Sequence, residues 1–270
     1  MAPIDSPAPI EPPPVVAPPT SRRSTGGSTQ PKSLQGLSVA LVVLFALGGL
    51  VSLVGALLTF SAVNDVVGIR DDDRGAFVEL VAADDANVKF AGSVGLWGLV
   101  AIPILVLLVI WTHRAHRNLA AFGAEQPMLP SGMAIGSWFI PLFWYLGPYW
   151  CMADAHRGAA PESIGNSQWR QLPGSKALLA WWLSFSAATV LFIVGFGVAS
   201  SGGSSDVSFD DTSIDTAIAI TEEPDTYITG WSLVGAAHGL SLAAAMLAIA
   251  AVRTISDRHG ERIRAAGGHA

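Results

Sequence analysis

Four stretches of this chain are apolar and free of Asp, Glu, Lys and Arg for more than 20 residues: 37–63, 91–112, 177–200 and 229–252. About 20 such residues in an α-helix span the ~30 Å hydrocarbon layer of a bilayer, so each stretch predicts a transmembrane helix. A fifth apolar stretch, 129–153, has a different pattern. Pro141 and Pro148 interrupt it, and Gly136 and Gly147 weaken it further as a helix. Seven of the thirteen residues from Trp138 to Trp150 are aromatic, a density suited to the headgroup layer. It reads as a re-entrant or interfacial segment whose freed backbone groups must be covered by protein or water. Between these stretches, 64–90, 154–176 and 201–226 read as polar loops, and 253–270 as a basic tail. The fold expected is an all-α integral membrane protein with four spans and one proline-broken segment, its membrane domain covering residues 36–252.

Charge decides how the fifth stretch is threaded. If it crossed fully, ten basic residues would lie outside and five inside. If it enters and returns, twelve lie inside, and Arg70, Arg74 and Lys89 remain outside. The positive-inside rule selects the second arrangement. Both termini are then cytoplasmic, and the acidic loops 64–90 and 201–226, with fourteen carboxylates and three basic groups between them, face outward.

Composition supports the class. Hydrophobic residues make up 51% of the chain and charged ones 13%, about half the charge of an ordinary soluble domain; the mean hydropathy is +0.47. One cysteine, Cys151, excludes an internal disulfide or a zinc cluster built on cysteines. Arginine outnumbers lysine twelve to three, which together with abundant Ala, Gly and Val suggests a high-GC bacterium. Residues 1–35 hold nine of the seventeen prolines and no aromatic side chain, so they predict a disordered, partly polyproline-II tail. That tail is either a solvated leader or a docking segment for a protein that recognises proline. No apolar core directly follows the start, so the first helix is expected to stay uncleaved.

Small residues mark helix faces. Gly48, Ser52 and Ala56 recur at four-residue spacing, as do Gly235, Gly239 and Ala243. Such faces let helix backbones approach closely, within the chain or in a homo-oligomer. His238 is the sole ionisable residue within the four spans, and beside Gly235 and Gly239 it reads as a neutral helix contact rather than a proton relay.

The stretch from Trp111 to Met152 carries a resemblance. Trp111, then Arg114, Arg117, Asn118 and Leu119, then Trp138-Phe139-Ile140-Pro141 and Pro148-Tyr149, with Trp181 and Trp182 opening the next span, resemble the domain-of-unknown-function 4328 family. The resemblance covers roughly residues 36–252. It implies a multi-span membrane protein of the kind common in actinobacteria, with no assigned activity. The chain departs from the family pattern at Trp144, Gly147 and Trp150, where an Asn, a basic residue and a Gln are expected, so a polar site built there is weakened.

Chemistry is sparse. Arg114, Arg117 and Asn118 leave the second span as a basic helix, with Arg157 nearby if the hairpin folds back. They read as a positive-inside anchor or as a site for an anionic lipid headgroup or a partner, together with Trp111, Trp138, Phe139, Pro141 and Pro148. His113, His116, Asp154 and His156 have metal-ligand types, but their flanking arginines oppose a divalent cation, so no metal is assigned. Asp211, Ser213, Asp215 and Glu222 echo a calcium loop, but Thr216 stands where its glycine must be. No nucleophile motif, phosphate loop or nucleic-acid motif occurs, so neither a catalytic residue nor a cofactor is expected. The expected role is a non-enzymatic scaffold or accessory protein of the bacterial cytoplasmic membrane. A small-solute transporter or channel gated by the broken segment is the alternative, and a lipid-headgroup enzyme built on the histidines is a third.

Overall fold

The computed structural model describes residues 30–71, 75–124, 126–141, 143–202 and 212–267. The Pro-rich tail to residue 29, the run Asp72, Asp73 and Arg74, and Asp206, Asp210 and Asp211 lie outside the described residues. Among the described residues there are helices and turns and no strand: α1 (Gln35–Asp71), α2 (Ala76–Ala121), α3 (Met133–Gly136), α4 (Gly147–Gly158), α5 (Lys176–Ser201), α6 (Thr212–Glu222) and α7 (Pro224–Gly267). Of these, α1, α2, α5 and α7 are long and apolar enough to cross a membrane. Helix α1 packs against α2 and α7, and α7 packs against α5, giving the order α2–α1–α7–α5. The outer two meet where the rings of Trp97 and Phe192 stack at 5.5 Å.

Close approach comes from glycine at one crossing above the others. A Cβ on Gly195 of α5 would lie 2.6 Å from the carbonyl oxygen of Gly230 in α7, and one on Gly230 would lie 2.6 Å from the amide nitrogen of Ala199. Backbone therefore meets backbone there. In α1, Gly48 faces Ile104 of α2, whereas Gly49 faces Leu242 and Ala245 of α7.

The helices outrun the apolar stretches, and this corrects three sequence expectations. Within 64–90, residues 64–71 are the end of α1 and 76–90 the start of α2 rather than open polar loop, because their apolar positions keep the helical period. Ala62, Val66, Ile69, Ala83, Ala86 and Phe90 are buried in a core shared with Ala217, Ile220, Tyr227 and Trp231. Their charges sit at the rim: Lys89 Nζ lies 2.7 Å from Asp65 and 2.6 Å from Asp85, the latter one helical turn away. Residues 201–226 likewise contain α6, which packs on α2. The expected tail from residue 253 is the continuation of α7, with Ile255 and His259 buried.

The fifth apolar stretch forms no continuous helix. It is a one-turn α3, a 3-10 turn at Phe143–Tyr145 and the start of α4. Pro148 falls in the first turn of α4, where its missing N–H is an orphan donor in any case. It opens that helix rather than breaking one. Three apolar cores result among the described residues: the one just described, a larger one built on Leu41, Phe45, Trp111, Trp138, Trp181, Trp182 and Ile255, and a small one of Leu119, Ala124 and Trp169.

Candidate functional site at the hairpin end

Both described termini, the α2–α4 hairpin and the start of α5 gather at one end of the bundle. There α2 binds the segment leading into α1. Asn118, buried, accepts a hydrogen bond from the Lys32 amide and donates to the Lys32 carbonyl, both at 2.8 Å. One turn earlier, Arg114 donates to the Ser33 carbonyl at 3.3 Å. Leu34, the next residue, is almost fully buried. This pairing of an amide side chain with the N–H and C=O of one residue fixes a backbone regardless of its side chains.

Trp111 knots three helices. Its indole N–H donates to Ser38 of α1 at 3.2 Å and to Ser256 of α7 at 3.1 Å, and the two serine hydroxyls bond to each other. No periodic signal marks the two serines in the sequence. Only a fully buried tryptophan near a helix end, in need of an acceptor, could have pointed to them.

The hairpin is tied to α5 by aromatic packing. The Trp182 indole donates to the Tyr145 carbonyl at 2.7 Å, and Trp182 also packs against Trp138 and Tyr149 at centroid distances of 6.2 and 6.4 Å. A Cβ on Gly147 would collide with Ser137 and lie 2.6 Å from the Phe143 ring, so no larger side chain fits there.

Beneath the hairpin lies a layer of histidine, arginine and aspartate. Asp154 accepts from the Met128 amide at 2.6 Å, with Arg170 at 3.9 Å. Burial raises its carboxyl above the usual range, opposed by that amide, Arg170 and Arg157. Arg258 donates to the His156 carbonyl at 3.2 Å and lies 3.4 Å from its ring. Burial first, then Arg258 and Arg157, push the His156 imidazole down to about 4. Arg262 stacks over the Phe122 ring at 5.2 Å and donates to the Phe122 carbonyl, holding the end of α2 to α7. Arg157 donates to the Leu172 carbonyl at 2.9 Å, closing the polar segment back onto α4. His113 lies 3.2 Å from the Ser131 carbonyl, and among the described residues no three His, Cys, Asp or Glu side chains converge as a metal ion requires.

Two hollows adjoin this end. One, of about 630 Å³, is polar, lined by Gly123, Gln126 and the loop from Gly165 to Gln171. The other, of about 310 Å³, lies among α1, α2, α5 and α7 and is floored by Trp138 and Trp144 of the hairpin.

The residues singled out in the sequence thus separate by burial. Trp111, Asn118, Trp138 and Pro148 are buried, Arg114 and Arg157 are half-buried and bonded to backbone, and Arg117, Phe139 and Pro141 are exposed. Of the small-residue positions, Gly48 and Gly235 face other helices, at Ile104 and Thr59, and Ser52 is buried. Gly239 has open space around it, and Ala56 and Ala243 are half-buried. The tight contacts that the spacing did not reveal are Gly195 with Gly230, and Gly55, whose Cβ position lies within 3.0 Å of the His238 ring.

A family model described as Domain of unknown function (DUF4328) matches residues 74–257. No curated protein and no solved structure matches the chain.

Proposed function

The chain belongs to the DUF4328 family, and from that footing we propose that it is a non-enzymatic scaffold or accessory protein of a bacterial cytoplasmic membrane. Its four long apolar helices cross the bilayer, and residues 129–153 form an interfacial hairpin on the cytoplasmic side. The observation that carries this reading is the use made of the polar residues. Asn118, Trp111, Arg157 and Arg258 bond to the chain's own backbone or hydroxyls, which makes a stiff platform of them rather than a reactive set. Around that platform stand exposed cations: Lys32, Arg117, Arg170, Lys176, Arg253 and Arg264. The far end has the opposite character, and the two basic groups described there are held by acids, Arg70 by Asp71 and Asp225, and Lys89 by Asp65 and Asp85. This polarity supports termini in the cytoplasm and acidic segments outside. The basic end would meet anionic headgroups or a protein partner, the partner reaching the proline-rich tail.

Three experiments test the reading. With Cys151 replaced by Ala, Gly165→Cys and Ser204→Cys should label from opposite sides of intact membranes; same-side labelling overturns the four-span topology. Crosslinking in native membranes followed by gentle purification should recover a reproducible protein partner, lost when residues 1–29 are deleted. Recovery of lipid alone argues against the partner role. Solute flux in vesicles containing the purified protein would replace the scaffold reading with a transporter.

A further inference from the structure

We propose that the hollow between α2 and α5 binds one acyl chain of a bilayer phospholipid, whose ester carbonyl accepts a hydrogen bond from the Trp138 indole N–H of the hairpin. The inference builds on the membrane reading above. Its first support is dimension. On α2 the lining runs from Leu108 to Trp97, about 16 Å at the ~1.5 Å rise of a helix. Half of a ~30 Å hydrocarbon layer is the depth of one leaflet, and the two lengths agree. The volume of about 310 Å³ lies at the small end of the roughly 300–1,000 Å³ of ligand sites, which suits a single chain rather than a whole lipid. The wall is aromatic and aliphatic, with Phe45, Ile104 and Phe185 facing the space. The hydroxyl of Thr189, also on the wall, already donates to the Phe185 carbonyl at 2.9 Å.

The second support is independent and polar. Leu108, Thr112 and His116 follow one another at four-residue spacing, so they form one stripe along α2 leading from the hollow toward the hairpin. The Thr112 hydroxyl and both His116 ring nitrogens are buried and find no hydrogen-bond partner among the described residues. On the hairpin, which packs against α2 through α3 and α4, the Ser137 hydroxyl and the Trp138 indole N–H are in the same condition. Trp138 is 6% exposed and itself lines the hollow. Buried polar groups in folded proteins are nearly always paired, so the unpaired Trp138 N–H, the one of these groups on the wall of the hollow, calls for a bound acceptor. The indole N–H only donates, and its complement is an oxygen acceptor such as an ester carbonyl. An apolar slot one leaflet deep with an unpaired indole N–H on its wall is complementary to an amphiphile. A free fatty acid fits less well, because no Lys or Arg lines the space to hold a carboxylate.

The test uses the full-length protein in vesicles of phosphatidylethanolamine and phosphatidylglycerol, doped with a phosphatidylglycerol carrying a photoactivatable diazirine midway along one chain. Irradiation should concentrate crosslinks on the lining, at Val100, Ile104 and Phe185. Ala101→Phe fills the hollow from α2 and Ser241→Leu from α7. Each displaces burial worth about two methylenes, so crosslinking at the lining should fall about tenfold. Leu99→Phe, on an exposed position outside the hollow, should leave it unchanged. Trp138→Phe keeps the ring, removes the donor and should shift the crosslinks along α2. Each variant is scored only when it purifies as a single species, and the two filling variants are independent, so loss of one leaves the other decisive. Labelling spread evenly over exposed helix faces, unchanged labelling in a folded filling variant, or free fatty acid as the bound species would overturn the proposal.

Discussion

At the scale of single residues, the arginine–asparagine run of α2 reads as a surface motif in the sequence and works as a clamp in the fold. Asn118 has one carbonyl and one amide to offer, and Lys32 presents one N–H and one C=O at matching spacing. Removing the side chain leaves the Lys32 N–H and C=O without their partner. Asn118→Ala is expected to cost about 1–2 kcal/mol and to speed limited proteolysis just before α1, read by mapping the cleavage site. His156 supplies a pH-dependent term. Its folded pKa of about 4 lies below its unfolded value, so between these the unfolded state binds more protons. Stability is therefore fully present above about pH 6.5 and is lost as pH falls toward about 4, by roughly 1–2 kcal/mol after allowance for solvent screening. Asp154, with its raised carboxyl, has the opposite sign and favours the folded state as pH falls. Comparing thermal melts with His156→Gln across that window isolates the histidine: the variant should show a flatter acid limb.

At the scale of elements, small residues matter where backbones meet, and spacing alone does not locate those places. Gly235, Gly239 and Ala243 have the pattern, yet Gly239 borders open space while Gly230, outside the pattern, touches Gly195 backbone to backbone. Both Gly195→Ala and Gly230→Ala should force α5 and α7 apart, at about 1–3 kcal/mol each. Because they act on one contact, the double variant should cost less than the two singles combined, measured as a double-mutant cycle of melting temperatures in detergent. Gly239→Ala is the control and should be close to neutral. The broken segment teaches the same lesson from the other side. Prolines and glycines in 129–153 indicated that no straight helix would form, but the position of Pro148 in the first turn of α4, and the packing of Gly147 on Ser137 and Phe143, depend on the return of the chain.

At the scale of the whole molecule, charge is sorted to the two ends. Exposed cations ring the hairpin end, and paired acids and bases cap the other. Ligands that bind only the folded state raise its stability, so vesicles of anionic phospholipid should give a higher melting temperature than zwitterionic ones, by a few degrees for about 1 kcal/mol. The difference should shrink as ionic strength rises from ~0.01 M to ~1 M, since exposed charges are screened over a Debye length. An unchanged difference at high salt would mean that the basic end does not meet headgroups.

The sequence by itself determined the helical class, the number of long apolar helices, the interruption of 129–153 and the sorting of charge, because these follow from local composition and from one-dimensional periodicity. It also carried the family signature from Trp111 to Pro148. It did not determine how far the helices run, since Val66, Ile69, Ala83 and Ala86 read as part of a polar stretch until α6 supplies the partners that bury them. Nor did it determine the tie of Trp111 to Ser38 and Ser256, the grip of Asn118 on Lys32, the contact of Gly195 with Gly230, or the hollow above Trp138. Each joins residues far apart in the chain, and such a contact has no energy until the bundle brings its two halves together.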